Sequence, residues 1–113
     1  WAMTYHQAKM LSQKTGKPIF VDIALTTCPP CKYLSTHMYT DDKIASFINK
    51  NFIPVLIMAD KERVPTEVAQ YFSGYTPSLI IMKDGKEIYQ FSFDREFFKN
   101  KYKFLDYLKR GLK

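Results

Sequence analysis

Apolar positions recur along this chain with two periods, and the changes of period mark its elements. Residues 4–14 place Tyr5, Ala8 and Leu11 or Ser12 at the spacing of one helix face. Thr4 with Gln7 forms a capping-box pattern at the start, and Gly16 stops the helix. Residues 18–24, PIFVDIA, form a near-continuous apolar run of the kind found in a buried strand. A helix is expected over residues 31–38, because Pro29 or Pro30 suits a helix start, where the missing N–H is harmless. Another is expected over residues 41–51, capped by Thr40 or Asp41, with Ile44, Phe47 and Ile48 as its inward stripe. Residues 52–58 read as a second apolar strand with Pro54 near its beginning, and intervening helices favour parallel pairing with the first. Pro65-Thr66-Glu67 opens a short helix through Phe72, ended by Gly74. Residues 78–82 form a third strand. Asp84-Gly85 is a hairpin signal, and residues 87–93 alternate as a fourth strand antiparallel to the third. The last helix is expected over residues 96–112, with Tyr102, Leu105, Leu108 and Leu112 on one face. This order predicts an α/β fold, a central four-stranded mixed sheet with helices on both faces.

The totals refine this picture. A length of 113 residues predicts one domain over residues 1–113. A chain that is 46% hydrophobic and 16% aromatic can fill a core, and 25% charged residues argue against bulk disorder. Lys and Arg outnumber Asp and Glu by 17 to 11, which favours anionic surroundings. Part of that excess lies on the last helix, at Lys99, Lys101, Lys103, Lys109, Arg110 and Lys113. No binding motif accompanies it, so a solvated face is expected and no nucleic-acid partner. The aromatic residues from Tyr89 to Tyr107 read mainly as core, and the methionines at 3, 10, 38, 58 and 82 as packing. No apolar run approaches the roughly 20 residues of a bilayer span. The chain opens at Trp1 with neither Met nor a signal-peptide pattern, as expected of one whose targeting segment or anchor has been removed.

The chemistry concentrates in TTCPPCK, residues 26–32, which holds both cysteines of the chain. As a staple this pair would contribute little, since the stabilisation grows with the length of the loop closed. A disulfide oxidoreductase needs one exposed, ionisable thiol and a second within reach to resolve the mixed disulfide. Cys28 just before a helix, with free N–H groups and the positive end of the dipole ahead of it, meets the first need. Cys31, one turn along and more buried, meets the second, and Lys32 adds positive charge nearby. The motif follows a buried strand and opens a helix, as a redox Cys-x-x-Cys should. Two inert buried thiols remain open as an alternative. A metal site would need His37 and His6 as further ligands, and their spacing matches no common site, so no metal is expected. Lys32 stands where haem attachment requires His.

The runs PIFVDIALTTCPPCKYL and FSGYTPSLIIMKDGKEI resemble thioredoxin-fold proteins. Within these the pattern is similar to the periplasmic thioredoxin-like domains of the kind found at the C-terminus of the interchange protein DsbD. Residues 41–47 and the run NFIPV at residues 51–55 add to the likeness, which covers about residues 17–112. The resemblance implies that Cys28 attacks and Cys31 resolves, and that Asp22 is the buried acid of the family. It implies that Pro77, after Thr76, is a cis-proline facing the site, where an extended substrate could pair with the Thr76 backbone. Asp22 interrupts an apolar strand, and burial would raise its pKa and suit it to take the proton of Cys31. An Asp that points outward or caps a loop is the alternative. Two departures stand out: Thr27 occupies the position of the usual Trp, and Leu56 that of the lysine partner of the acid.

Together these readings predict a thiol–disulfide oxidoreductase with no cofactor beyond the Cys28–Cys31 disulfide. Pro29 and Pro30 offer no N–H groups to a thiolate, so the reducing direction is expected. Expected partners are disulfide-bonded proteins, with Thr76, Pro77, Pro29 and Pro30 as the substrate-binding surface. No flavin or nicotinamide motif is present, so an upstream dithiol donor, membrane-bound or free, must supply electrons. A monomer in the periplasm or another extracytoplasmic space is expected, with the cytoplasm left open. The rival readings are a redox-inactive binding module using the Pro77 face, and copper handling through Cys28 and Cys31.

Overall fold

Strand β1 (Ile19–Ala24) is buried at every position. It lies inside a sheet of order β2-β1-β3-β4, formed with β2 (Ile53–Met58), β3 (Ser78–Lys83) and β4 (Lys86–Ser92). The computed structural model describes residues 4–112. β1 pairs in parallel with β2, as helices between them require, and antiparallel with β3; β3 and β4 form a hairpin. Pro54 sits on the edge strand β2, where an absent N–H is tolerated. Asp84 and Gly85 carry φ of 53° and 79°, the left-handed pair that a two-residue hairpin turn demands.

Period-two alternation along β1 builds two cores. Phe20 packs with Leu34, Met38, Ile44, Ile48, Phe52, Phe97, Phe104 and Leu108 on one face. Ile19, Val21 and Ile23 pack with Tyr5, Ala8 and Val68 on the other. Helix α1 (Tyr5–Thr15) begins with the reciprocal Thr4–Gln7 capping box, and Ser12 rather than Leu11 takes its third buried position. The Ser12 hydroxyl is satisfied there by the Lys17 carbonyl. Helix α2 (Pro29–Tyr33) runs into a π-helical turn, Leu34–Met38, and α3 (Asp42–Asn51) follows with Asp41 as its cap. Helix α4 (Thr66–Ala69) is shorter than expected, giving way to single-turn bonds at Tyr71 and Phe72. Glu67 on α4 accepts from the Tyr5 hydroxyl at 2.9 Å and from Lys9 at 2.6 Å, tying α4 to α1.

The final helix departs from its expectation. A 3₁₀ turn, Arg95–Phe98, precedes a separate α5 (Lys103–Arg110). Between them the Asn100 side chain accepts the Tyr102 N–H at 3.1 Å, a local bond that competes with continuous helix. The inward positions of α5 are therefore Phe104 and Leu108, followed by a buried Gly111. Leu105 is half-buried, and Tyr102 and Leu112 are exposed. Phe91, Phe97 and Phe104 are core, whereas Phe98 is exposed. Met38 and Met82 are buried and Met58 is half-buried, but Met10 lies on the surface rather than in packing. Met3 and Lys113 lie outside the described residues. Among the described residues no helix is long and apolar enough to cross a membrane.

Candidate active site

The end of β1 delivers the chain into a short loop, and Cys28 emerges as the N-cap of α2. Two sets of bonds fix this loop. The Cys28 N–H donates to the Leu25 carbonyl at 3.2 Å. Thr26 donates its N–H to both carboxylate oxygens of Asp60 at 3.2 Å, and its hydroxyl bonds the same group. Asp60 lies just past the end of β2, so these bonds tie the Cys loop to the neighbouring strand end. They hold the Asp60 carboxyl below its ordinary range. Sequence reasoning missed Asp60, whose only signal was a polar residue just past an apolar run.

Cys28 and Cys31 are joined as a disulfide, with Cα atoms 5.3 Å apart. Cys28 is 9% exposed and Cys31 4%. Cys28 is the less buried of the two, but it packs with Ala24 in a small core cluster and is not the exposed residue expected. Pro29 and Pro30 take the first two helical positions and remove two of the N–H groups that a helix start normally presents. The next N–H, that of Cys31, donates to Cys28 Sγ at 3.3 Å. Cys28 is flanked by a shallow groove of about 170 Å³ that includes Thr27 and Pro29. A mainly apolar cavity of about 230 Å³, which Leu56 and Met58 help to line, lies beside both cysteines. Lys32 is exposed and lines both hollows.

Asp22 is 1% exposed and points inward, not outward. Its position in β1 puts it on the same face as Phe20 and Ala24, and Ala24 packs against Cys28 and Cys31. Leu56 stands opposite Asp22 on β2, where the resemblance would have put a lysine. The polar partner comes instead from Tyr39, whose hydroxyl donates to Asp22 Oδ2 at 2.7 Å. Oδ1 is buried with no hydrogen-bond partner among the described residues. Burial drives the Asp22 pKa up to about 7, against the Tyr39 hydrogen bond, which favours the charged form. Burial and the adjacent carboxyl push the Tyr39 hydroxyl well above its ordinary value.

Tyr39 was also missed from sequence. It follows the π-helical turn, whose closing bond runs from the Tyr39 N–H to the Leu34 carbonyl at 2.8 Å. Ser35, Thr36 and Thr40 each bond the carbonyl four residues back, competing for the bonds that would keep the α-helix regular.

The Thr76–Pro77 bond is cis. Ser78, the next residue, pairs with Ile23 near the end of β1, so the proline and the Cys loop lie at the same end of the sheet. Ser92 donates to the Pro77 carbonyl at 2.8 Å and Ser78 to the Tyr75 carbonyl at 2.5 Å. Tyr75, 78% exposed, projects beside them. The histidines are not gathered here: His37 stacks on Tyr33 at 4.6 Å and His6 lies on α1. Among the described residues no group of three or more His, Cys, Asp or Glu side chains could hold a metal ion.

The chain is similar to known proteins in sequence and in fold. An uncharacterized protein of Archaeoglobus fulgidus is 34% identical over 65 residues, 58% of this chain and 51% of that protein. The match thus spans about half the length of that relative. Among solved structures, the DsbH oxidoreductase superposes with a TM-score of 0.70 at 18% identity, covering 92% of this chain and 83% of that one. A thioredoxin from Thermus thermophilus does so with 0.67 at 20% identity, covering 90% and 83%. At such identities the likeness is one of fold. A Cys-x-x-Cys disulfide at a helix N-terminus in that fold supports thiol–disulfide oxidoreductase chemistry. The family model described as Thioredoxin-like matches residues 1–83, and the chain belongs to the thioredoxin-like family.

Proposed function

We propose that this protein reduces disulfides of protein substrates by thiol–disulfide exchange through Cys28 and Cys31. The observation that carries the reading is the Cys28–Cys31 disulfide at the N-cap of α2, packed against Ala24, with the buried Asp22 carboxyl two residues back on the same face of β1. In the reduced protein the Cys28 thiolate attacks one sulfur of a substrate disulfide. A mixed disulfide forms, the substrate S–S bond breaks, and the first substrate sulfur leaves as a thiolate. Cys31 gives its proton to Asp22, and its sulfur attacks Cys28 Sγ. The Cys28–substrate bond breaks and the second substrate thiolate leaves, to be protonated by water. Two electrons pass from the protein dithiol to the substrate disulfide.

The reducing direction is supported by Pro29 and Pro30, which leave the Cys28 sulfur one first-turn N–H, that of Cys31. Fewer donors stabilise the thiolate less and so favour the disulfide of the protein. Thr76, Pro77, Pro29 and Pro30 would hold an extended substrate segment, and Lys32 would favour the thiolate. An upstream dithiol donor would return the pair to its reduced form, in an extracytoplasmic setting consistent with the DsbD-like pattern of the sequence.

Insulin-disulfide reduction with dithiothreitol tests this. Activity should vanish in Cys28→Ser, and Cys31→Ser should accumulate mixed disulfides. Equal behaviour of wild type and both variants would leave only a binding module. A glutathione redox titration should give a reducing potential, and one near that of strongly oxidising relatives such as DsbA would overturn the direction.

A further inference from the structure

The hydrogen bond between Tyr39 and Asp22 ties the residue that closes the π-helical turn to the buried strand β1. We propose that Tyr39 is a positioning residue for thiol exchange: its hydroxyl occupies Asp22 Oδ2 and leaves Oδ1 as the atom that takes the proton from Cys31. The inference rests on the exchange reading of the cysteine pair.

The geometry is specific. Oδ2 accepts the hydroxyl at 2.7 Å, while Oδ1 is buried with no hydrogen-bond partner among the described residues. A buried polar atom left unpaired is costly and calls for a reason. A tyrosine hydroxyl has one proton to donate, and this one is pushed well above its ordinary pKa, so it keeps that proton at working pH. Oδ2 is therefore an acceptor whether or not Asp22 is ionised, and a proton that arrives at the carboxyl goes to Oδ1. The titratable group bonded to Asp22 is the Tyr39 hydroxyl, just after the π-helical turn. Cys31 of α2 packs against Ala24, two residues along the same face of β1. β2 and β3 place Leu56 and Leu79 at its register, so neither strand sets a charge beside it.

The exchange step uses both carboxylate oxygens. When Cys31 attacks Cys28 Sγ in the mixed disulfide, its proton passes to Oδ1, the Cys28–substrate bond breaks, and the substrate sulfur leaves as a thiolate. The Tyr39 bond to Oδ2 stabilises the charged carboxyl, opposing the burial that raises its pKa. Asp22 is thereby held where it accepts a proton near neutrality, with a hydroxyl rather than a neighbouring cation.

The test is Tyr39→Phe, which keeps the ring contacts with Phe20 at 6.4 Å and Phe104 at 6.0 Å. Two quantities are read: the Asp22 titration midpoint by carbon-13 NMR of its carboxyl, and the pH profile of substrate release from a preformed mixed disulfide. The expected result is a higher Asp22 midpoint, a release limb displaced by the same amount to higher pH, and several-fold slower release at pH 7. In an Asp22→Asn background the same substitution should leave the pH profile unchanged, which a purely structural role would not require. Should Tyr39→Phe not fold, 3-fluorotyrosine at position 39, a stronger donor, should lower the Asp22 midpoint instead. An Asp22 midpoint and release profile that do not respond to position 39 overturn the role of Tyr39 and leave the exchange reading standing. A wild-type mixed disulfide that never resolves, even where Asp22 is ionised, overturns both.

Discussion

Leu56 stands opposite Asp22 in the parallel register of β1 and β2. The buried carboxyl thus has hydrocarbon where a cation could stand, and its pKa lies at about 7, raised first by burial. A raised carboxyl pKa means that the folded state holds a proton the unfolded state has lost, between the unfolded value near 4 and the folded value near 7. The associated stability is present below that window and is lost as the pH rises through it. Relative to Asp22→Asn, the wild type should lose on the order of a few kcal/mol between about pH 4 and pH 8. Urea denaturation of both proteins across that range measures the difference. A difference that stays flat with pH would contradict a raised pKa. Leu56→Lys should shift the midpoint of the transition to lower pH, since an adjacent cation favours the charged form.

Pro30 occupies the second helical position, from which an N–H normally reaches an N-cap side chain. Pro30→Ala should restore that donor to Cys28 Sγ. The Cys28 thiolate, followed by its ultraviolet absorbance, should then persist to lower pH. The reduction potential should rise by about 30 mV if the new bond contributes about 1.4 kcal/mol. A potential that stays constant or falls would remove the argument for the reducing direction.

Asp60 holds the Cys loop through Thr26. Asp60→Ala should speed amide hydrogen exchange at Thr26 several-fold while leaving the β1–β3 ladder protected. Because the Asp60 carboxyl is held below its ordinary 3.8, the bond is intact at neutral pH and is lost only as the pH falls through that depressed value. Uniform exchange in both proteins would show that the loop is held by other means.

Gly111 packs against Ile81, and a Cβ added there would run into the Ile81 Cδ1 methyl. Ile81 is fully buried and has little room to yield. Gly111→Ala should therefore cost about 1–3 kcal/mol in chemical denaturation. Ile81→Val, which deletes the offending methyl, should cost about 0.5–1.5 kcal/mol in the wild type. In the Gly111→Ala background it should cost less or restore stability. Additive effects of the two changes would place the strain elsewhere.

Much of this molecule is written locally in its chain. The apolar runs of β1 and β2, the Thr4–Gln7 capping box and the Asp84-Gly85 turn each depend on neighbouring residues, and so could be read from spacing. The same holds for the two cysteines: their separation and the prolines between them fix a helix N-terminus with Cys28 as its cap. Tertiary structure decided what Asp22 meets. Its partner Tyr39 arrives through a π-helical turn, and a single extra residue in a turn rotates the downstream side chains by about 100°. The break in the last helix is local too, but it rests on one Asn100 side chain that helical periodicity does not register. A buried carboxyl titrates according to everything packed around it, so the Asp22 pKa and the choice of a hydroxyl over a cation are set by side chains that only the folded chain brings together.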